Sequence, residues 1–209
     1  MQSDAEERLW RFVDRAEIGE LLSAYAHATD RRDAATVRAC FHEGATFQHL
    51  DNTPVPAAAM FTPQLYERSG LLVTGHYLTN MLVEFDGPDC ASCQTSVMAY
   101  HLVAANFSDS APPFVSRGEE YGVVIGARYF DRVERGPAGW RFRSRALTFD
   151  WSYEVEASPL SKAMFGVLNP PGRRIAEQGD ATAPPGRGPT VGLSPPTGGL
   201  DRSSTVQGD

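Results

Sequence analysis

The sequence predicts an α+β fold in which helices pack on one face of a curved sheet. Three observations carry this. Apolar residues in the first part of the chain recur at helical spacing. Later stretches alternate with a period of two over ten or more residues, and compact turn signals divide them.

A helix is expected over residues 14–30, where Ile18, Leu21, Leu22 and Tyr25 follow the i, i+3, i+4, i+7 rule and turn Tyr25 inward. Asp33 is placed to cap a second, short helix carrying Val37, Cys40 and Phe41. A brief strand follows over 45–49. Thr62-Pro63 then marks a third helix leading into Leu65 and Tyr66, because proline is well tolerated at the first helical position. The remainder reads as strands over 76–85, 91–107, 117–133 and 140–151. Their turns are Asp86-Gly87-Pro88-Asp89, a proline-rich loop around residues 111–113, and Gly136-Pro137-Ala138-Gly139. From Pro170 to Asp209 there are 7 Pro, 8 Gly and no aromatic residue, too little apolar surface to offset the entropy of ordering. The expected division is a folded domain over 1–165 and a Pro/Gly-rich disordered tail over 166–209. No internal repeat is visible.

At 209 residues and 42% hydrophobic content, the chain has the composition of a soluble globular protein. A net charge of −7 lacks the basic excess of a nucleic-acid binder. No apolar run approaches the ~20 residues of a membrane span, and the acidic N-terminus carries no signal-peptide core. Three cysteines fit a reducing cytoplasm better than a disulfide framework. Cys90-Ala-Ser-Cys93 has redox or zinc spacing, but i and i+3 on a strand point to opposite faces and nothing completes a ligand set. No metal and no cofactor is expected, and no phosphate-binding loop or nucleophile elbow is present.

The chemistry that remains is a carboxylate and two imidazoles. Asp30 ends the first helix, His76 opens a strand, and His101 lies in the next strand. With residues 86–89 as the turn, Phe85 faces Cys90 and His76 faces Ala99. His76 and His101 then share a face as diagonal neighbours, roughly 7–8 Å apart at Cα. Leu78, Leu82, Val97 and Ala99 would form an apolar wall on that face, and a β-bulge in the hairpin would break the argument. The pattern fits an acid–base centre in an apolar pocket, or two hydrogen-bonded core histidines. His27 falls beside the core stripe, His42 is uninformative, and His49 could line the pocket mouth. Arg141, Arg143 and Arg145 alternate along the last strand, as salt-bridge or dimer-face residues, with Arg145 the one that could reach the pocket.

The string Tyr25-x4-Asp30-Arg-x-Asp33, Gly75-His76-x3-Asn80, Asp86-Gly87, Arg128-Tyr129-x-Asp131 and Gly139-Trp140-Arg141-x3-Arg145-x4-Asp150-Trp151 resembles the SnoaL-like proteins. These belong to the nuclear transport factor two-like superfamily, with polyketide cyclases, scytalone dehydratase and bile-acid 7α-dehydratase among their relatives. The resemblance covers about residues 10–155. It implies a cone-shaped barrel, a strongly bent and mostly antiparallel sheet closed by three N-terminal helices around an apolar cavity. It implies the catalytic set Asp30, His76 and His101, matching the Asp and two His of scytalone dehydratase, with Tyr25 and Arg145 added from the bile-acid enzyme. The Ser and Asn that orient substrate in scytalone dehydratase fall on Val123 and Ile125, which implies a more apolar ligand.

The expectation is a cofactor-free lyase, a dehydratase acting through an enolate on a hydrophobic polycyclic ketone in secondary metabolism. His76, oriented by Asp30, would be the base. Tyr25 would donate to the enolate, and His101 would protonate the departing hydroxyl. Aldol cyclisation and ketone isomerisation pass through the same intermediate and stay open. So do a non-catalytic ligand-binding or assembly module and, with a metal-bearing partner, the small subunit of a ring-hydroxylating dioxygenase. Apolar residues on both strand faces predict a homo-oligomer, a dimer or trimer.

Overall fold

The structure is a computed structural model that describes residues 2–49, 52–63, 70–107 and 114–157. Helix α1 (Gln2–Asp30) runs twelve residues further toward the N-terminus than the apolar stripe predicts. Tertiary contacts support the extension. Arg11 donates to the Gly87 carbonyl at 2.9 Å and Arg15 to that of Val83 at 2.8 Å. Both guanidinium groups lie over the Phe85 ring, at 4.4 and 5.1 Å. Ile18, Leu22 and Tyr25 enter the core as expected.

The end of α1 is set by its backbone. The Asp33 N–H donates to Ala28 at 2.9 Å and the Arg32 N–H to Thr29 at 3.1 Å, the paired bonds of a Schellman cap. Arg32 holds the left-handed position of that cap at φ 57°, where glycine is the usual choice. Its guanidinium reaches the carbonyls of Leu71 and Leu72, tying the helix end to the strand that carries His76. Asp33 then caps α2 (Ala34–Ala39), accepting from the Thr36 N–H at 3.1 Å and its hydroxyl at 2.6 Å. Phe41, expected on this helix, instead begins the first strand.

The strands are β1 (Phe41–His49), β2 (Val55–Pro56), β3 (Leu71–Phe85), β4 (Cys90–Val103), β5 (Tyr121–Gly136) and β6 (Gly139–Glu156), with one-turn helix α3 (Ala57–Met60) after β2. They form one six-stranded sheet in the order β2-β1-β6-β5-β4-β3. Only the β1–β6 pairing is parallel. The expected barrel is corrected in this respect: the sheet is mixed and does not close on itself, β2 and β3 are its edges among the described residues, and α1 packs against β3 and β6. The helix expected from Thr62-Pro63 runs into residues 64–69, and the tail over 166–209 also lies outside the described residues. No helix among the described residues is long and apolar enough to cross a membrane.

The β3–β4 hairpin pairs His76 with Ala99, as expected, but by a different route. At the turn Phe85 faces Ala91, one residue further along than Cys90. A bulge between Leu78 and Met81 restores the register before the histidines are reached. The same bulge reverses the facing of the turn-proximal segment. Leu82, expected on the cavity wall, is 65% exposed, whereas Val83 is buried.

Candidate active site

The end of α1 and the start of β3 bring Asp30 and His76 into direct contact. His76 Nδ1 donates to Asp30 Oδ1 at 2.6 Å, and the His76 backbone N–H donates to Oδ2 at 2.9 Å. The Thr74 hydroxyl, two residues earlier on the same strand face, adds a third bond to Oδ1 at 3.1 Å. A carboxylate at a helix C-terminus sits at the unfavourable end of the macrodipole, and these three donors offset that. Burial pushes the Asp30 carboxyl up, but the His76 bond and charge, its backbone N–H and Thr74 together hold it below the usual carboxylate range. An ionised Asp30 can only accept, so Nδ1 carries a ring proton, and in the neutral imidazole it is Nε2 that offers a lone pair.

His101 completes the cluster. Its ring lies perpendicular to that of His76, with centroids 5.4 Å apart, and edge-on to Phe114 at 5.0 Å. Burial, reinforced by the neighbouring His76 and opposed by Asp30, drives its pKa down to about 3. It is a neutral imidazole at ordinary pH, so it can donate a hydrogen bond but is a poor source of a full proton. Val123 is its direct cross-strand partner, and Ile125 is that of Ala99.

His76 and His101 lie on the wall of a cavity of about 340 Å³, within the range of small-molecule sites. Its apolar lining comes from Phe47, Met60, Phe61, Leu71, Val97, Ala99, Phe107, Phe114, Ile125, Ala127, Leu147 and Phe149. The polar groups among its lining residues are those of Thr29, Arg32, His49, Thr74, His76, His101 and Tyr129. His49 faces Phe149 at 5.4 Å, and its burial lowers its pKa.

Tyr25 and Arg145 are placed elsewhere. Tyr25 is absent from the cavity lining; edge-on contacts with Phe41, Phe61, Tyr129 and Phe142, at 5.7–6.0 Å, enclose its ring. Burial, opposed by Arg145, raises its hydroxyl pKa. Arg145 is fully buried and pairs bidentately with Asp131, Nε–Oδ1 at 2.7 Å and Nη2–Oδ2 at 2.8 Å. Its guanidinium lies 4.0–4.1 Å from the rings of Tyr25, Tyr129 and Phe142. Burial pushes the Arg145 pKa down, but Asp131 more than reverses this and keeps it charged. Asp30, His76 and His101 are thus brought together, while Tyr25 and Arg145 form a layer beneath.

Sequence reasoning missed Thr74 and Tyr129. Thr74 had a signal, its i−2 position on the face of His76, whereas Tyr129 entered only as part of the string that carries the family resemblance, with no role attached. Cys90 and Cys93 are free, and burial with the nearby Asp131 pushes the Cys93 thiol up to about 12, far from a reactive thiolate. Among the described residues, no group of three His, Cys, Asp or Glu side chains could hold a metal.

Residues 10–146 match the family model of the SnoaL-like domain. No curated protein matches the chain significantly. Among solved structures, one provisionally described as a scytalone dehydratase from Novosphingobium aromaticivorans is 17% identical with a TM-score of 0.56, the match covering 71% of this chain and 92% of that one. A second from that organism, provisionally described as an aromatic ring hydroxylase, is 26% identical with a TM-score of 0.56, covering 69% and 94%. The hexachlorocyclohexane dehydrochlorinase LinA-type3 from Novosphingobium barchaimii is 18% identical with a TM-score of 0.59, covering 73% and 99%.

Proposed function

The chain belongs to the SnoaL-like domain family, and on that premise we propose that it is a cofactor-independent lyase, a dehydratase acting on a hydrophobic ring ketone that carries a β-hydroxyl. The observation that carries this reading is the Asp30–His76 contact on the wall of a mostly apolar cavity, with a neutral imidazole 5.4 Å away. His76 Nε2 takes the proton α to the carbonyl, and the C–H electron pair moves into the enolate. The imidazolium so formed is stabilised by Asp30, which keeps its charge and orients the ring, as in other His–carboxylate pairs. The enolate then collapses, expelling the β-hydroxyl. That group takes the proton back from His76 and leaves as water, while His101 hydrogen-bonds to it. The depressed pKa that leaves His101 uncharged supports a role as hydrogen-bond donor rather than the expected proton donor. Apolar Val123 and Ile125 beside the histidines favour a ligand of polyketide, steroid or terpenoid character over a polyhydroxylated one.

We further infer a homo-oligomer, a dimer or trimer, from the exposed apolar outer face of the sheet, and a cytoplasmic location from the free cysteines. The test of activity is a panel of cyclic β-hydroxy ketones followed by the absorbance of the conjugated enone. The wild-type chain should form enone without added metal or nucleotide, and His76→Ala should lose ~10²–10⁴-fold, the span of general acid–base catalysis. Equal turnover by a folded His76→Ala protein would overturn the reading.

A further inference from the structure

An enolate needs a hydrogen-bond donor at its oxygen, and Tyr25, the residue expected to supply it, is absent from the cavity lining, its ring packed against four other aromatic rings. Tyr129 is the tyrosine on the cavity wall. It lies on β5 on the same face as Ile125 and Ala127, and Ile125 is level with Ala99 and therefore with His76. Apolar Val97, Ala99, Ile125 and Ala127 occupy the wall between the imidazoles and this phenol. Tyr129 is 4% exposed, and among the β5 residues that line the cavity it is the one with a polar side chain. A phenol on a cavity wall can donate its proton to a ligand oxygen in that cavity.

We propose that Tyr129, rather than Tyr25, donates the hydrogen bond that stabilises the enolate oxygen. The inference rests on the lyase reading above and assigns it a further catalytic residue. As His76 removes the α-proton, negative charge gathers on the carbonyl oxygen. Tyr129 keeps its proton throughout and shares it with that oxygen until the electron pair returns to expel the hydroxyl. Burial, reinforced by Tyr25 and opposed by Arg145, holds the phenol well above its ordinary range, so it meets the ligand protonated. The Arg145 guanidinium, 4.1 Å from the ring centroid, fixes the plane of the ring and places positive charge behind it. The charge of Asp30 adds to the upward shift of the phenol.

Tyr129→Phe and Tyr25→Phe, each removing one oxygen and keeping the ring, separate the two assignments. Two readouts are used: enone formation from the best ring ketone, and the affinity of the folded protein for 2-naphthol, a planar ring whose oxygen mimics an enolate. Tyr129→Phe should lower kcat at least ~10-fold with KM little changed, and weaken naphthol binding ~5–10-fold, the scale of one buried hydrogen bond. Tyr25→Phe should leave both within about two-fold, since its hydroxyl does not meet the ligand. Unchanged kcat and naphthol affinity in a folded Tyr129→Phe protein, or the larger loss in Tyr25→Phe, would overturn the proposal while leaving His76 as base. If the wild-type chain turns over no ring ketone, the lyase reading fails instead, and the two naphthol affinities still decide for or against Tyr129 as the cavity donor.

Discussion

At the scale of the residue, the candidate site is built from groups that fit poorly where they stand unless they meet. Asp30 is an anion at a helix C-terminus, and His101 is a histidine buried without a partner for Nδ1 among the described residues. His101 makes a pH prediction with a definite sign. Its folded-state pKa of about 3 lies below the ordinary histidine value of about 6.5, so the unfolded chain binds more protons in between. Stability therefore falls as pH drops from about 6.5 toward about 3, by on the order of a few kcal/mol. Asp30, lowered in the fold, acts in the same direction, its contribution being lost as pH falls through its depressed value. His101→Phe removes the first effect, and its acid-unfolding midpoint, followed by circular dichroism, should move to lower pH than that of the wild type. A midpoint unmoved or raised would show that His101 is not buried neutral. Asp30, His76 and His101 were legible because a helix end and a strand register fix them. Tyr25 was not, because helical periodicity gives an inward direction without telling cavity from packed core. Arg145 reads in sequence like its exposed neighbour Arg143, and only the fold shows Asp131 directly opposite it.

At the scale of the element, α1 and the β3–β4 hairpin decide whether the dyad forms. The Asp33 cap of α2 directly follows the turn that ends α1, so Asp33→Ala should cost about 0.5–2 kcal/mol, read from the urea midpoint. A change below ~0.3 kcal/mol would mean that the cap adds nothing to the joint between the helices. The bulge in β3 has a sharper consequence. Deleting Asn80, which lies within it, removes the extra residue and leaves a regular ladder from Phe85–Ala91 to His76–Ala99, with His76 and Val83 both keeping their face. The deletion protein should therefore keep its fold in thermal melts and its activity, and loss of both would contradict the register. The order and type of most strands were legible from alternation and turns. The bulge was not, because an extra residue in a strand has no composition of its own; the facing of His76 came out as expected because the turn and the bulge shift the register in opposite directions. The N-terminal half of α1 was missed because Arg11 and Arg15 dock it through long-range contacts that no local pattern records.

At the scale of the whole molecule, the sheet separates two apolar surfaces, the inner one forming the core and cavity and the outer one facing solvent. Tyr77, Leu82, Met98, Phe130, Trp151 and Tyr153 are exposed on the latter. Trp151 lies flat over Gly126, where any β-carbon would strike the indole, so this part of the face is level as well as apolar. A surface of that kind is expected to be covered. Light scattering at micromolar concentration should give at least twice the 22.8 kDa chain mass, and Trp151→Glu should lower it. A monomer would refute the oligomer. The fold class was legible at this scale, whereas the openness of the sheet was not, because closure depends on whether β2 and β3 meet across the cavity, a matter of curvature rather than pattern.

The central claim is that Asp30 and His76 act as one base, and a double-mutant cycle on enone formation tests it most directly. His76→Ala and Asp30→Asn should each lose ~10²-fold or more in kcat, and the double variant should be little worse than His76→Ala, because residues that act as a unit are not additive. Fully additive losses, or wild-type turnover in either folded single variant, would contradict the account.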